Sequence, residues 1–452
     1  MHISSDSRIK SIAFRYYSDR EEILFKAGIV FSLFVFVITL IRSAVTAITY
    51  DEAYTYLFIA RENMLDPDFL LNMFSKEGCI ANNHWLNSFL IFFVTRFIKT
   101  TYRAYTYSEF MIRLPILAAY AVYLFSVCSN FRKKNISFPV LIFLVGNYYL
   151  NEFYGLARGY GMANTFIFLL CMSYLDWKRS GFSEMKHLNA AMIWGILAVL
   201  SNTIVLLLYP AVGLICLYRL LTTGNFGKFM KRCGAVLVVF AAVCLLMLKY
   251  HLNISSEGKP LYTGETAGFF DCFVKGYLGM FISSPKKLSA IAMLFTVLTG
   301  LSLLKVSKRI KELDFSVMLI IFVLTNLMME MIFHKGYITQ RILLAFYAFV
   351  VLAVCELFAG AWNTQPEWRY SRVLGYAGSA ASVVLCILGV INFSAQIELR
   401  GTKDWADDYK YRTYVDGSYM SDHKFDKPWN TSVIFYKDRN NDIIDAYNSF
   451  MR

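Results

Sequence analysis

Charge is what this chain has least of. Charged residues fill 17% of its 452 positions, where soluble proteins carry about 25%. An ordinary soluble globule is thereby excluded. No glycine-rich phosphate loop follows a strand-like run, and no polar stretch is long enough for a nucleotide-sugar domain. The sequence therefore points away from chemistry fed by cytoplasmic nucleotides. None of the nine cysteines stands at metal-cluster spacing from another. No internal repeat is visible either, which weighs against a repeat-built secondary transporter.

What fills the chain instead is apolar. Hydrophobic residues make up 57%, mean hydropathy is +0.46, and 39 Phe with 30 Tyr suit interfacial belts and lipid-facing helices. A span needs about 20 mainly apolar residues. Candidates lie near 25–48, 114–131, 137–150, 159–176, 188–200, 203–218, 233–250, 288–304, 315–333, 342–362 and 373–393. The expected fold is all-α, a polytopic membrane protein of about 11 transmembrane helices. Ser201-Asn202 is read as a break that makes two spans of 188–218. The first apolar run has no small-residue cleavage site after it and reads as an uncleaved signal anchor.

Lysine and arginine set the orientation. With the N-terminus cytoplasmic, the cytoplasmic loops carry Arg132-Lys133-Lys134, Lys178-Arg179 with Lys186, Lys228 with Lys231-Arg232, and Lys305, Lys308, Arg309 and Lys311. Short loops on the other face are poor in both, one carrying only Arg158 and another only Lys335 and Arg341. This is the positive-inside pattern. The formal charge of +13 is thus a topology signal rather than a nucleic-acid footprint. The short cytoplasmic loops favour a bacterial inner membrane. Residues 1–393 form the expected transmembrane domain, with a long external loop over 49–113, and 394–452 a small extracytoplasmic segment. That tail interleaves Trp405, Tyr409, Tyr411, Tyr414, Tyr419 and Trp429 with charge, and reads equally as a cap or as a loose terminus.

The external loop is too long for a simple connection. Tyr54, Leu57, Phe58 and Arg61 fall at helical spacing, and Trp85, Leu86, Phe89, Leu90, Phe93 and Phe97 share one broad face. Both segments are expected to be interfacial helices. Seven cysteines fall in or at the ends of spans, as small buried hydrophobes. Cys79 and Cys272 fall in the two long external loops, where a disulfide between them is an open alternative.

Polar residues that the topology brings to the external face carry the chemistry. Asp51-Glu52 follows the first span directly, where charge is costly and usually kept for a reason. Asn82, Asn83 and His84 come next, then Glu109 and Arg113, then Glu152 and Arg158. Each has a plainer reading. Acidic residues also favour helix N-termini, and Glu109 and Arg113, one helical turn apart, are expected to be a structural pair. Glu152 is either a second functional carboxylate or the partner of Arg158, and His84 either meets a ligand or anchors the Trp85 helix. Gly155, Gly159 and Gly161 permit close backbone approach to a ligand or serve a tight turn.

Taken together, Tyr50-Asp51-Glu52-Ala53, Asn82-Asn83-His84-Trp85-Leu86-Asn87, Ser108-Glu109 with Arg113-Leu114-Pro115, Ala157-Arg158-Gly159-Tyr160, and Tyr337 with Gln340-Arg341 resemble a known family. They are similar to the GT-C glycosyltransferases of the protein mannosyltransferase and lipid A aminoarabinose transferase type, over most of residues 25–350. The resemblance implies the GT-C fold and an inverting glycosyltransferase that moves a sugar from a polyprenyl phosphate to a glycolipid, polysaccharide or protein acceptor outside the cytoplasm. It implies Asp51 as catalytic base, with Glu152 as a second catalytic carboxylate. Asn83, His84, Arg158, Tyr160, Lys335, Tyr337 and Arg341 are then donor-binding residues, and Glu52, Asn82 and Asn87 orienting ones. A base is needed to take the acceptor hydroxyl's proton. Arginine suits the departing phosphate because its fork binds two oxygens. No cofactor is required by the resemblance. Some relatives bind a divalent cation, for which Asp51 and Glu152 are the candidate ligands. A polytopic transporter and a non-catalytic envelope assembly protein are the competing expectations.

Overall fold

The computed structural model describes residues 5–45, 52, 55, 63–76, 78–79, 83–101, 109–256, 263–264, 268–281, 285–333, 337–338 and 340–362. Nearly all of these are helical; a two-residue antiparallel pairing joins Thr263 to Ile338 and Gly264 to Tyr337. Among the described residues, six helices are long and apolar enough to cross a membrane: Glu22–Ala44, Phe110–Arg132, Thr203–Thr222, Phe226–Ile254, Lys287–Val306 and Leu344–Ala361. Rows of large apolar side chains stand exposed on them, among them Leu33, Val37 and Ile41, then Val238 and Leu245, then Leu294, Val297 and Leu301. In water such a surface would be a liability; facing hydrocarbon it is ordinary. Several apolar helices of this length mark the chain as a membrane protein.

The expected count of eleven spans is not confirmed. Helix occurs at ten of the eleven apolar runs, and 373–393 lies outside the described residues. The run 137–150 is the clearest departure. It forms two short helices, Phe138–Val145 and Tyr148–Tyr154. At 1.5 Å per residue, the first is about 12 Å long and cannot cross alone. Gly146 ends it, and Asn147 starts the next by accepting the Leu150 N–H at 2.8 Å. The break at Ser201-Asn202 is present. Asn202 is extended and its side chain caps the short 3-10 turn Thr203–Leu208 through the Ile204 N–H.

The bundle has two polar ends. Helix Gly159–Arg179, about 30 Å long by the same rise, runs between them. At its C-terminal end the four lysine- and arginine-rich loops come together. Arg179 donates to the Lys134 carbonyl, Lys228 to that of Ser183, and Asn189 to that of Arg232. Lys178 and Arg219 both reach Asp314, and donate to the carbonyls of Glu312 and Lys311 respectively. At the N-terminal end of the same helix lie Glu52, His84, Arg113 and Glu152.

Between the two ends the core is aromatic and hydrogen-bonded. Tyr120 stacks on Tyr154 with ring centroids 4.2 Å apart. Asn164 donates to the Tyr154 hydroxyl at 3.1 Å and accepts the backbone N–H of Ala348 at 2.8 Å, tying the last described helix, Tyr347–Trp362, to the centre of the bundle.

Helix Trp85–Thr101 packs onto the bundle. Its Trp85 and Phe92 share a buried cluster with Met73, Val199, Met247 and Tyr250. The expected helix at 54–61 and the tail 394–452 lie outside the described residues. Cys79 and Cys272 are both thiols, so the disulfide alternative is not taken up; Cys79 Sγ donates to the Lys76 carbonyl at 3.0 Å.

Candidate functional site

The site is built around a buried carboxylate. Glu52 and Arg113 are both fully inaccessible to solvent, with side-chain exposure of 0% each. Arg113 engages both carboxylate oxygens, Nε to Oε1 at 2.8 Å and Nη2 to Oε2 at 2.7 Å. This bidentate fork is the strong form of the arginine–carboxylate bond. The remaining Arg113 nitrogen, Nη1, donates to the Ser43 carbonyl at 2.9 Å, where the first long helix is ending. Arg113 was expected to pair with Glu109, one turn away on its own helix. Its fork reaches across 61 residues to Glu52; the side chain of Glu109 lies outside the described residues. The pairing matters to Glu52, because an unpaired buried carboxylate costs several kcal/mol.

Glu52 reaches a third segment. Its Oε1 accepts the backbone N–H of Ala157 at 2.6 Å, and the Ala157 carbonyl accepts from Asn87 Nδ2 at 2.9 Å. The peptide segment preceding Arg158 is thus held from both sides. Arg158 is buried, with its guanidinium 5.6 Å from the centre of the Tyr160 ring. His84 meets the same ring edge-on, centroids 5.0 Å apart. Asn83 is buried beside it and accepts from the Ser88 hydroxyl at 2.9 Å.

Glu152 was expected to be a functional carboxylate or the partner of Arg158. Its observed partner is Arg42, whose Nη2 lies 2.6 Å from Oε1. One residue on, the Ser43 hydroxyl donates to the Gly155 carbonyl at 3.1 Å. Arg42 escaped the sequence reading, although a signal was there: a lone arginine inside the last turns of a span is costly and asks for a partner.

The glycines serve the chain's own packing rather than an open ligand cradle. A β-carbon at Gly159 would overlap the Ser201 carbonyl oxygen and come within 2.7 Å of His84 Cβ, and one at Gly161 would stand 2.8 Å from the Tyr154 ring.

Of the expected site residues, the structure gathers Glu52, Asn83, His84, Asn87, Glu152, Arg158 and Tyr160 at one end of the bundle. It adds Arg42, Ser43 and Arg113. Tyr337 belongs to a separate aromatic group, its ring 5.5 Å from that of Phe269. Among the described residues no hydrogen bond or ring contact joins it to the Glu52 cluster. Arg341 lies on the short helix Gln340–Leu343, whose 3-10 continuation, Leu344–Phe346, is fully buried in the core. The side chain of Arg341, and the whole of Asp51, Asn82 and Lys335, lie outside the described residues. Compared with protein-family models, curated proteins and solved structures, the chain matches none.

Proposed function

We propose that this protein is a membrane glycosyltransferase that moves a sugar from a polyprenyl-phosphate donor to an acceptor on the extracytoplasmic side, with inversion. One observation carries the reading: the Glu52 carboxylate accepts the Ala157 N–H at 2.6 Å while its other contacts hold Arg113. The covalent neighbour of Asp51 is thereby bonded to the covalent neighbour of Arg158. Two chain segments, one acidic and one basic, more than a hundred residues apart, meet at one end of a lipid-exposed bundle.

In this reading Asp51 takes the proton of the acceptor hydroxyl as its oxygen attacks the anomeric carbon. The bond from that carbon to the phosphate oxygen breaks, and the polyprenyl phosphate departs with the electron pair. Arg158 and Arg341 stabilise the charge that grows on its oxygens. His84 and Tyr160 form a ring wall suited to a sugar face. Glu52 and Arg113 hold the segments and do not react. The gathering of the lysine- and arginine-rich loops at the opposite end supports a cytoplasmic placement for that end and an extracytoplasmic one for the site.

The test is transfer from a radiolabelled polyprenyl-phosphate sugar by the purified protein. Asp51→Asn is expected to abolish transfer while leaving expression and detergent stability unchanged. Persistent turnover by that variant would remove Asp51 from the base role.

A further inference from the structure

The resemblance raises a divalent cation held by Asp51 and Glu152, and the surroundings of Glu152 test whether such an ion fits. Hard divalent ions are held by carboxylate oxygens, usually several, whose negative charge is theirs to neutralise. Glu152 does not offer this. Its Oε1 already receives Arg42 Nη2 at 2.6 Å, with the Arg42 side chain only 10% exposed. A charge-assisted bond of that length, with one partner almost out of water, is strong and persistent. Glu52, at the same end, has both oxygens engaged by Arg113 and one also by the Ala157 N–H. Each of these two carboxylates is engaged by a guanidinium. A divalent ion on Glu152, whose side chain is 28% exposed, would stand beside the fixed positive charge of Arg42 and be repelled by it.

We infer that Arg42 takes the place of a divalent cation at Glu152, so that this part of the site carries its positive charge as arginine rather than as metal. Arg42 is a positioning residue. It fixes Glu152 against the end of the first helix, while the adjacent Ser43 hydroxyl fixes the Gly155 carbonyl. The meaning of the site rests on the glycosyltransferase reading, but the test does not, because it reads metal binding alone.

The experiment titrates Mn²⁺ into the purified full-length protein in detergent and follows the free ion by electron paramagnetic resonance. The wild-type protein is expected to show no Mn²⁺ site that Glu152→Gln removes. Arg42→Gln is expected to acquire one Mn²⁺ site that wild type lacks, about tenfold or more tighter than the weakest binding the titration resolves, once the competing charge is gone. Arg42→Gln combined with Glu152→Gln should lose it again, and Arg42→Lys, which keeps the charge, should never gain it. A wild-type Mn²⁺ site abolished by Glu152→Gln overturns the inference. So does an Arg42→Gln protein that elutes as a folded, monodisperse species and gains no affinity. If Arg42→Gln fails to fold, the comparison of wild type with Glu152→Gln still decides. Absence of transfer by the wild-type protein would overturn the enzymatic reading, persistent transfer by Asp51→Asn would overturn only the role of Asp51, and either would leave this result standing.

Discussion

Replacing Arg113 by alanine is the sharpest probe of how the site is held. The substitution removes the guanidinium fork from a carboxylate with no exposure to solvent, and releases the Ser43 carbonyl as well. Breaking a buried pair by deleting one partner costs about 3–5 kcal/mol, because the surviving charge stays buried. Whole domains are stable by only about 5–15 kcal/mol, so the loss is a large share of the total. Removing both charges should cost less. In the double variant Glu52→Gln, Arg113→Ala, the glutamine carbonyl still accepts the Ala157 N–H and neither member of the pair leaves its buried charge behind. The two substitutions are therefore expected to be coupled by about 2 kcal/mol, inside the range for residues in contact. Unfolding in mixed micelles, driven by added SDS and followed by tryptophan fluorescence, measures all four corners of the cycle. An Arg113→Ala protein within about 0.5 kcal/mol of wild type, the usual scatter for surface positions, would refute the reasoning. A strictly additive cycle would do the same.

Two further outcomes follow from the packing. Gly159→Ala forces a methyl group into the Ser201 carbonyl and His84, and should cost about 3 kcal/mol, the upper part of the overpacking range, since backbone cannot step aside. Gly213→Ala, with nothing within 4 Å of the added carbon, should be neutral or stabilise its helix by up to about 1 kcal/mol. The same SDS titration separates the two, and equal effects would undo the packing argument. At the far end of the bundle, Asp314→Ala strips the acceptor from Lys178 and Arg219. It should lower stability by about 2–3 kcal/mol, the worth of a hydrogen bond to a charged group, yet leave sugar transfer by the folded fraction intact. Lost transfer in a folded Asp314→Ala protein would show that the two ends are not independent.

The sequence made some of this legible and hid the rest for physical reasons. Long apolar runs announce helices because lipid demands internal backbone pairing, and ten of the eleven runs contain helix. Their interruptions were harder to see. Gly146-Asn147 breaks an apolar run because Asn147 offers its side chain to the Leu150 N–H, an alternative the hydropathy of the neighbours conceals. Partners across the fold were harder still. Arg113 reaches Glu52 across 61 residues, a partner that no local spacing indicates. Glu152 lies six residues from Arg158 in the chain, but its partner Arg42 is 110 residues away. The polar positions gathered at this end, Glu52, Asn83, His84, Asn87, Glu152, Arg158 and Tyr160, were therefore legible as candidates, and their pairing was not.

Asn164 has a consequence for how this protein is made. Its side-chain oxygen receives the Ala348 N–H at the start of helix Tyr347–Trp362, from a residue 184 positions later in the chain. Hydrocarbon offers that N–H nothing in exchange. The late helix therefore finds its resting place only after the earlier half has been inserted and closed around Asn164. Synthesis from the N-terminus delivers the parts in that order, with the dock built before the segment that must moor to it.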